Sequence, residues 1–297
     1  MDEPEVTVLL ATRNRAAHLS ACLATIQQAV ARTDIPTEVL VVDNGSSDAT
    51  LDVLRAFSHK IDGFRFVQDG LPGKSGAINR ALELARGSVV VFTDDDVHVP
   101  SSWIDDMATP IIKGQADAVC GRLVLAPHLD RPWLTTFLRS LLAELLDVSG
   151  EAPGMVGANM ATSKQAALDI QFEEGLGPGA RGFDDDVLFN YRLKGKGYRL
   201  AGSTGPHAEH HLSSDRLTYS AMTNLARQSG LSHAYLEHLM AGAKGKWLPL
   251  KETYLRIYLL LYRLVHRARP DSIQESEFRI IQHLYFIQEL RSLKRAR

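Results

Sequence analysis

The chain has 297 residues, of which 45% are hydrophobic and 23% are charged, close to the roughly 45–50% and roughly 25% of ordinary soluble domains. This composition excludes a fibrous, disordered or disulfide-stapled chain, and the length allows one large α/β domain or two smaller ones. With 33 Lys and Arg against 35 Asp and Glu, the net charge is −2. Because the whole chain has no field that would attract nucleic acid, we expect no nucleic-acid partner.

The cellular compartment is predicted from three features of the sequence. Two cysteines, Cys22 and Cys120, are too few for a disulfide framework or a cysteine zinc site. The first five residues are acidic where a secretory signal would be basic. The apolar run 257–262 covers only 6 residues, far below the roughly 18 that a membrane span needs. We therefore expect a cytoplasmic protein with reduced cysteines.

Strand and helix patterns alternate along the first third of the chain. Short apolar runs rich in β-branched residues predict buried strands at residues 6–10, 39–42, 64–67 and 89–92. Apolar residues at helical spacing predict helices at 19–30, 51–57 and 78–85. This alternation predicts an α/β fold with right-handed crossovers and a mainly parallel, Rossmann-like sheet flanked by helices.

Polar clusters follow three of these strands, at residues 12–15, 43–48 and 93–96. Ligands of open α/β sheets bind at the carboxyl ends of the strands, near the point where strand order reverses. The three clusters are therefore predicted to meet in one pocket.

The triplet Asp94, Asp95 and Asp96 directly follows a predicted buried strand. Three consecutive carboxylates repel one another and need a compensating cation. Oxygen ligands favour Mg²⁺ or Mn²⁺, and Mg²⁺ commonly binds one or two carboxylates plus substrate phosphates. The alternative is a solvated acidic turn.

Residues 43–48 form a predicted turn leading into a helix, which Ser46, Ser47 or Asp48 can cap. Asp43 precedes the capping positions, so its carboxylate is expected to be free to accept hydrogen bonds from a ligand such as a nucleobase N–H. The alternative is that this segment supplies only turn and cap interactions.

A short Gly-Lys-Ser segment at 73–75 does not make a phosphate-binding loop of the Walker type, because Gln68 stands where that motif requires Gly. No G-x-G-x-x-G fingerprint follows the first strand either. Lys74 can still contact phosphate or shape the pocket, in a loop leading into a helix predicted from Ala77.

A second acidic triplet, residues 184–186, is predicted to open a helix. The helix dipole explains one or two carboxylates there, and a further one placed opposite a diphosphate would suit a general base for an acceptor hydroxyl. Three histidines between residues 207 and 211 are candidates for a metal ligand, with plain surface histidines as the alternative.

Taken together, these motifs resemble those of the inverting glycosyltransferases of family 2, which have the GT-A fold. The resemblance runs from Val6 to His211 in the family's order, and it rests on the segments 8–15, 41–48, 76–82, 92–96, 185–186 with 192–193, and 206–211. It implies a GT-A catalytic domain over residues 1–215, with a nucleotide-sugar half at 1–97 and an acceptor half at 98–215. A C-terminal helical region would follow at 216–297.

The resemblance implies a metal-dependent, inverting transferase of the hexosyltransferase type that uses Mn²⁺ or Mg²⁺. Its donor would be a nucleoside-diphosphate sugar, with a UDP-sugar preferred. Its acceptor would be a hydroxyl of a saccharide or lipid-linked molecule, in polysaccharide, glycolipid or glycoconjugate synthesis. Two other functions stay open: a nucleotidyltransferase, and a non-catalytic nucleotide-sugar-binding or scaffold protein.

Residue roles also follow from the resemblance. The donor would be bound by Thr12, Arg13, Arg15, Asp43, Lys74, Asn79, Asp94 and Asp95. The metal would be held by Asp96, with Asp94, His210 and His211 as further ligands. Asp185 or Asp186 would deprotonate the acceptor. Asp185 stands where the family usually has Glu, and the consecutive Asp triplet leaves the register of the D-x-D motif open by one residue.

The tail differs in charge from the rest of the chain: residues 244–297 hold 12 Lys and Arg against 5 Asp and Glu. One helical face there carries Ile257, Leu260, Leu261 and Leu264, and another carries Arg256, Arg263 and Arg267. A basic amphipathic helix is typical of membrane-surface binding, which predicts peripheral contact with the inner face of the cell membrane through residues 250–297. The alternative is a helix packed on the catalytic domain with a solvated arginine stripe.

Overall fold

The fold was analysed in a computed structural model, which describes residues 3–71, 73–150, 153–241, 247–266 and 274–295. The chain divides into two compact units. The first comprises Met1–Ala126, Glu144–Glu174 and Asp185–Leu212, and the second comprises Pro127–Ala143, Gly175–Asp184 and Ser213–Arg297. Three separate segments of the chain thus form the second unit. The domain boundary at residue 215 stays a prediction.

The first unit contains all ten described strands and six helices. Its strands are β1 (Val6–Thr12), β2 (Thr37–Asp43), β3 (Phe64–Gln68), β4 (Val89–Thr93), β5 (Val97–His98), β6 (Ala118–Cys120), β7 (Leu123–Leu125), β8 (Asn159–Ser163), β9 (Leu200–Gly202) and β10 (Ala208–His210). Its helices are α1 (Ala16–Arg32), α2 (Thr50–Phe57), α3 (Lys74–Leu84), α4 (Trp103–Ile112), α6 (Lys164–Ile170) and α7 (Asp185–Gly195).

Seven strands form the central sheet, in the order β3-β2-β1-β4-β8-β6-β9. Strands β3, β2, β1 and β4 are parallel, whereas β8 runs antiparallel to both β4 and β6. Strand β9 is parallel to β6. The predicted α/β class and the mainly parallel sheet are therefore confirmed.

The strand order reverses beside β1, because β2 and β3 lie on one side of it and β4 lies on the other. In this register Thr12 is opposite Asp43, and both are the last residues of their strands. A second sheet, in the order β5-β10-β7, pairs Val97 with His210. Since β5 begins directly after Asp96, this pairing brings a late histidine to the carboxyl end of β4.

Two helix starts differ from the sequence prediction. Helix α3 begins at Lys74, not at Ala77, because Gly73 at its N-cap adopts a φ of +100°, a backbone conformation that glycine reaches without steric cost. Helix α2 has Ala49 at its N-cap instead of a polar capping residue, although Asp48 accepts a bond from the Thr50 backbone N–H at 3.0 Å. Helix α7 begins at Asp185, within the acidic triplet that was predicted to open a helix.

The core between the sheet and its helices is apolar and well filled. Leu9, Leu40 and Val90 contribute buried side chains from the sheet. Phe172 stacks on Phe189 of α7 at 4.4 Å between ring centroids and lies edge to face with Phe92 of β4 at 5.7 Å, so α7 packs against the sheet through Phe172. Both cysteines are free and buried, as predicted.

Replacing Gly87 with Ala is expected to destabilise the fold by about 1–3 kcal/mol. A Cβ at this position would lie 2.5 Å from the Thr7 backbone nitrogen, and strand backbone cannot move aside as a flexible side chain can. Urea unfolding measures the change. The matched control is Gly195→Ala, where an added Cβ meets nothing within 4 Å. Equal stability of the Gly87→Ala protein and the wild type would contradict the packing described.

The second unit is helical. It contains α5 (Thr136–Ser140), α8 (Tyr219–Ala241), α9 (Leu248–His266) and α10 (Glu275–Arg295), and α10 packs against both α8 and α9. Among the described residues, none of the helices has the length and apolar character needed to span a membrane.

Candidate active site

The acidic triplet after β4 lies against the loop after β1, as the sequence predicts. Thr12 donates its hydroxyl hydrogen to Asp95 Oδ2 at 2.7 Å. Arg15 Nε lies 3.3 Å from Asp95 Oδ1, and its guanidinium also pairs with Asp96. Both carboxylates are buried. A cationic side chain thus compensates two of the three consecutive carboxylates, which contradicts the alternative of a solvated acidic turn for this pair.

His210, rather than His211, has its ring against the triplet. His210 Nε2 lies 3.2 Å from Asp96 Oδ1. The side chain of His211 lies elsewhere: its Nε2 is 2.9 Å from Glu209 Oε2, and its ring stacks on His98. Its backbone N–H nonetheless donates to the Asp96 carbonyl oxygen at 2.7 Å. The strand pairing therefore directs one histidine ring of this pair at Asp96.

Burial and charge separate the pKa values of the two neighbouring carboxyls. Burial, with the charge of Asp96 next to it, raises the pKa of Asp95 to about 6. Burial acts in the same direction on Asp96, but the hydrogen bond and charge of His210, together with Arg15 and Lys74, outweigh it and hold the pKa of Asp96 well below its usual range. Asp96 is thus the carboxylate that stays ionised at the centre of the site.

We expect Asp95 in the metal-free protein to titrate near pH 6, visible in its ¹³C carboxyl resonance. Since its pKa is higher in the folded state than the ordinary 3.8, the folded protein binds more protons between these two values. This group's contribution to the free energy of unfolding is complete below pH 3.8 and is lost as pH rises through about 6. The Asp95→Asn protein provides the assignment, and a midpoint at or below 3.8 in the wild type would contradict the burial argument.

The first turn of α3 connects the two acidic triplets. Lys74 pairs with Asp94, and the neighbouring Ser75 donates its hydroxyl hydrogen to Asp185 Oδ2 at 2.8 Å. Burial would lower the pKa of Lys74, but Asp94 and Asp185 outweigh it and raise that pKa, so the ammonium stays charged. The segment at 73–75 therefore contributes two groups to the site, the ammonium of Lys74 and the hydroxyl of Ser75.

The two carboxylates that begin α7 have different surroundings. Asp185 faces α3, whereas Asp186 accepts the Gly157 backbone N–H at 2.7 Å and the Val187 N–H at 2.8 Å. These backbone bonds orient the Asp186 carboxylate.

Asp43 ends β2 and is fully buried. The turn itself also supplies a donor to this carboxylate: Ser46 N–H donates to Oδ1 at 3.1 Å. The predicted role of Asp43 in accepting a ligand N–H stays a prediction. Gln68 Nε2 lies 3.4 Å from Oδ2, a longer contact from an exposed residue. Each carboxylate oxygen retains a lone pair that a ligand N–H can use.

Two residues predicted to bind the donor are not brought to this cluster. Asn79 is buried, and its side-chain amide forms two hydrogen bonds with the backbone of Phe172. It donates to the Phe172 carbonyl oxygen at 2.9 Å and accepts the Phe172 N–H at 2.8 Å. Arg13 is exposed in the loop after β1. Asn14 was not predicted as a site residue. Its side-chain oxygen accepts the Ser47 N–H at 2.7 Å and its backbone N–H donates to the Ser46 hydroxyl oxygen, so it connects two site loops. Its φ of +54° is tolerated by Asn better than by most residues.

The site offers few ligands for a divalent cation. No three His, Cys, Asp or Glu side chains within the described ranges form a group that would hold a metal ion. Asp96 and His210 form an oxygen and nitrogen pair, and Arg15 places a positive charge against Asp96. Two such ligands bind Mg²⁺ or Mn²⁺ only when substrate phosphates and water complete the coordination, and an ion here would compete with Arg15 for Asp96.

Comparison with known proteins defines the class. The sequence profile described as Glycosyl transferase family 2 matches residues 7–167, more than half of the chain. The chain belongs to this family.

Two named relatives agree with that assignment. Glycosyltransferase AglE from Haloferax volcanii is 31% identical over 122 residues, which is 40% of this chain and 40% of AglE. The beta-monoglucosyldiacylglycerol synthase of Trichormus variabilis is 26% identical over 136 residues, 44% of this chain and 28% of the synthase. The matched segments thus span well under half of either relative.

Two structural neighbours establish the fold as GT-A. The mannosyltransferase PcManGT from Pyrobaculum calidifontis, solved with GDP-Man and Mn²⁺, has a TM-score of 0.56 at 20% identity, over 99% of this chain and 74% of that one. S. aureus TarS 1-349, solved with UDP-GlcNAc, has a TM-score of 0.51 at 17% identity, over 99% of this chain and 92% of that one.

Proposed function

We propose that the protein is a metal-dependent, inverting glycosyltransferase of the hexosyltransferase type. It transfers a sugar from a nucleoside-diphosphate sugar, with a UDP-sugar preferred, to a hydroxyl group of a saccharide or lipid-linked acceptor. The observation that carries the proposal is the connection of both acidic triplets through Lys74 and Ser75, because a transferase must hold its donor and its acceptor base within one site. Polysaccharide, glycolipid or glycoconjugate synthesis is the expected setting.

On the donor side, Asp43 accepts the nucleobase N–H, which replaces the 3.4 Å contact from Gln68. Thr12, Arg15 and Lys74 line the path of the ribose and the diphosphate. The ammonium of Lys74, held in place by Asp94, compensates the negative charge of the departing diphosphate. This arrangement favours departure because a fixed positive charge stabilises charge that develops in the transition state.

A divalent cation is proposed as the cofactor, and Asp96 and His210 would hold it. Asp94, the further ligand that the resemblance implies, pairs with Lys74 instead. When bound, Mn²⁺ or Mg²⁺ supplies Lewis-acid stabilisation of the diphosphate oxygens. The presence of Mn²⁺ with GDP-Man in the solved PcManGT structure supports this choice. His211 is the weaker candidate for a ligand, because its ring lies against Glu209 and His98.

On the acceptor side, we assign the general base to Asp186. In a single displacement the acceptor oxygen forms a bond to the sugar C1 while the bond from C1 to the diphosphate oxygen breaks, and the hydroxyl proton passes to the base. The base must therefore lie away from the leaving group. Asp185 is bonded to the same turn of α3 as Lys74, on the donor side, whereas Asp186 is oriented by Gly157.

Ligand-dependent thermal stability tests the donor site. A nucleoside diphosphate or its sugar at 100 times its Kd should stabilise the protein by about 2.7 kcal/mol, and the shift should require Mn²⁺ or Mg²⁺. Consumption of a nucleoside triphosphate instead would favour the nucleotidyltransferase. Binding without turnover would favour the non-catalytic nucleotide-sugar-binding protein, and no shift by a folded protein would contradict the donor site. The cytoplasmic location stays a prediction.

A further inference from the structure

Helix α9 in the second unit presents an exposed apolar face along its length. The side chains on this face are 45–75% exposed and recur every three or four residues, at Leu250, Tyr254, Ile257, Tyr258, Leu261, Leu264 and Val265. With 3.6 residues per turn, this spacing keeps them on one side of the helix. None of them is charged, and Trp247, just before the helix, is 73% exposed.

The opposite side of α9 is the one that packs within the second unit. Leu248, Leu255 and Leu259 are buried there. Helix α9 is thus apolar on both sides, which is unnecessary for a helix that only covers a core. An exposed apolar surface of this extent marks an interaction site.

The described arginines of the predicted stripe form ion pairs with carboxylates of the second unit. Arg256 lies 2.9 Å from Glu252, which also pairs with Arg291 at 2.7 Å. Arg263 pairs with Glu277 at 2.7 Å, and Arg267 lies outside the described residues. The four apolar residues predicted to share a face are exposed, so the surface that needs a partner is the apolar one.

A shallow, positively charged pocket lies where α9 meets α10, on the side of α9 away from the exposed apolar face. Its volume is about 350 Å³, and it is lined by Glu252, Arg256, Gln288, Arg291, Ser292 and Arg295. Three guanidinium groups against one carboxylate leave it with an excess of positive charge. In the sequence, Lys244 and Lys246 precede α9, and Arg267 and Arg269 follow it.

We propose that the outward face of α9 docks on an anionic lipid surface, with its aliphatic and aromatic side chains inserted at the headgroup level. The excess of 12 Lys and Arg over 5 Asp and Glu in residues 244–297 would attract this region to the anionic headgroups. Tyr and Trp favour this interfacial position, and apolar burial with attraction to anionic lipid is the usual basis of such binding. A second copy is the less favourable occupant, because residues 244–297 carry 12 Lys and Arg against 5 Asp and Glu, and a two-fold contact would bring two copies of this positive charge together. This docking extends the proposed function. Its use in reaching a lipid-linked acceptor rests on the protein being the proposed glycosyltransferase.

Vesicle co-sedimentation of the full chain tests this proposal. The wild type should bind vesicles of phosphatidylcholine with phosphatidylglycerol, and should bind pure phosphatidylcholine vesicles several-fold more weakly. The double variant Ile257→Glu/Leu261→Glu should bind the anionic vesicles at least tenfold more weakly. Leu84→Glu, at a 45% exposed leucine of the first unit, is the matched control and should bind like the wild type.

The results that overturn the proposal are equally definite. Failure of the wild type to bind anionic vesicles, or equal binding by the double variant, contradicts docking through this face. A wild-type dimer that the double substitution converts to a monomer, measured by light scattering without lipid, assigns the face to a second copy instead. Unchanged circular dichroism confirms that the double variant is folded. The nucleotide-dependent thermal shift of the same preparations tests the proposed function separately, because vesicle binding is measured without nucleotide.

Discussion

Replacing Asp96 with Asn is expected to lower kcat/KM for sugar transfer by about 10³-fold, the loss typical when one strong electrostatic contact to the transition state is removed. Asp96 is the central carboxylate of the site, held ionised between His210 and Arg15. Asn keeps the size of the side chain but removes its charge. Initial rates at saturating Mn²⁺, with fixed donor and acceptor, measure the effect.

The matched control for this variant is Asp117→Asn. Asp117 is also paired with an arginine, Arg199 at 3.0 Å, but it is not part of the acidic cluster. We expect its activity to stay within about twofold of the wild type, since it contacts no group of the proposed mechanism. If Asp96→Asn retained a comparable rate, the assignment of the D-x-D register to Asp96 would be wrong.

Replacing Asp186 with Asn should lower kcat by about 10³-fold, within the range of general-base catalysis, with little change in the Kd of the nucleoside diphosphate. The carboxamide can still accept the Gly157 N–H, so the loop geometry should survive, whereas proton abstraction is lost. Asp185→Asn should cost about tenfold, because that residue positions Ser75 and the charge near Lys74 without taking the proton.

Comparing the two variants assigns the base. Isothermal titration with the nucleoside diphosphate separates binding from turnover, and steady-state rates with the complete substrates give kcat. A larger loss in Asp185→Asn than in Asp186→Asn would transfer the base role to Asp185. Full activity in both would remove the general-base mechanism from this pair altogether.

The sheet was predictable wherever a strand is a short continuous apolar run. Strands β1, β2 and β4 satisfy this condition, and the polar residues after them meet as the parallel arrangement requires. Strand β8 was not predicted, because its Asn159, Thr162 and Ser163 interrupt the apolar pattern. Its antiparallel insertion between β4 and β6 depends on pairing between segments far apart in the sequence.

Within the site, the residue types were predictable and their orientations were not. Sequence order cannot distinguish His210 from His211, since only the pairing of β10 with β5 determines which ring faces Asp96. Asn79 was assigned to the donor by its place in a motif, but its side chain is used by the backbone of Phe172. The sequence pattern of α9 also predicts one apolar face, whereas the helix has two, one buried and one exposed.

The most direct test of the central claim is the anomeric configuration of the product. The protein, Mn²⁺, a panel of nucleoside-diphosphate sugars and candidate hydroxyl acceptors would be followed by proton NMR of the anomeric signals. The account predicts release of a nucleoside diphosphate together with a glycoside of the opposite anomeric configuration to the donor, with no reaction after chelation of the metal. A product that retains the donor configuration, or transfer that continues in the presence of chelator, would contradict it.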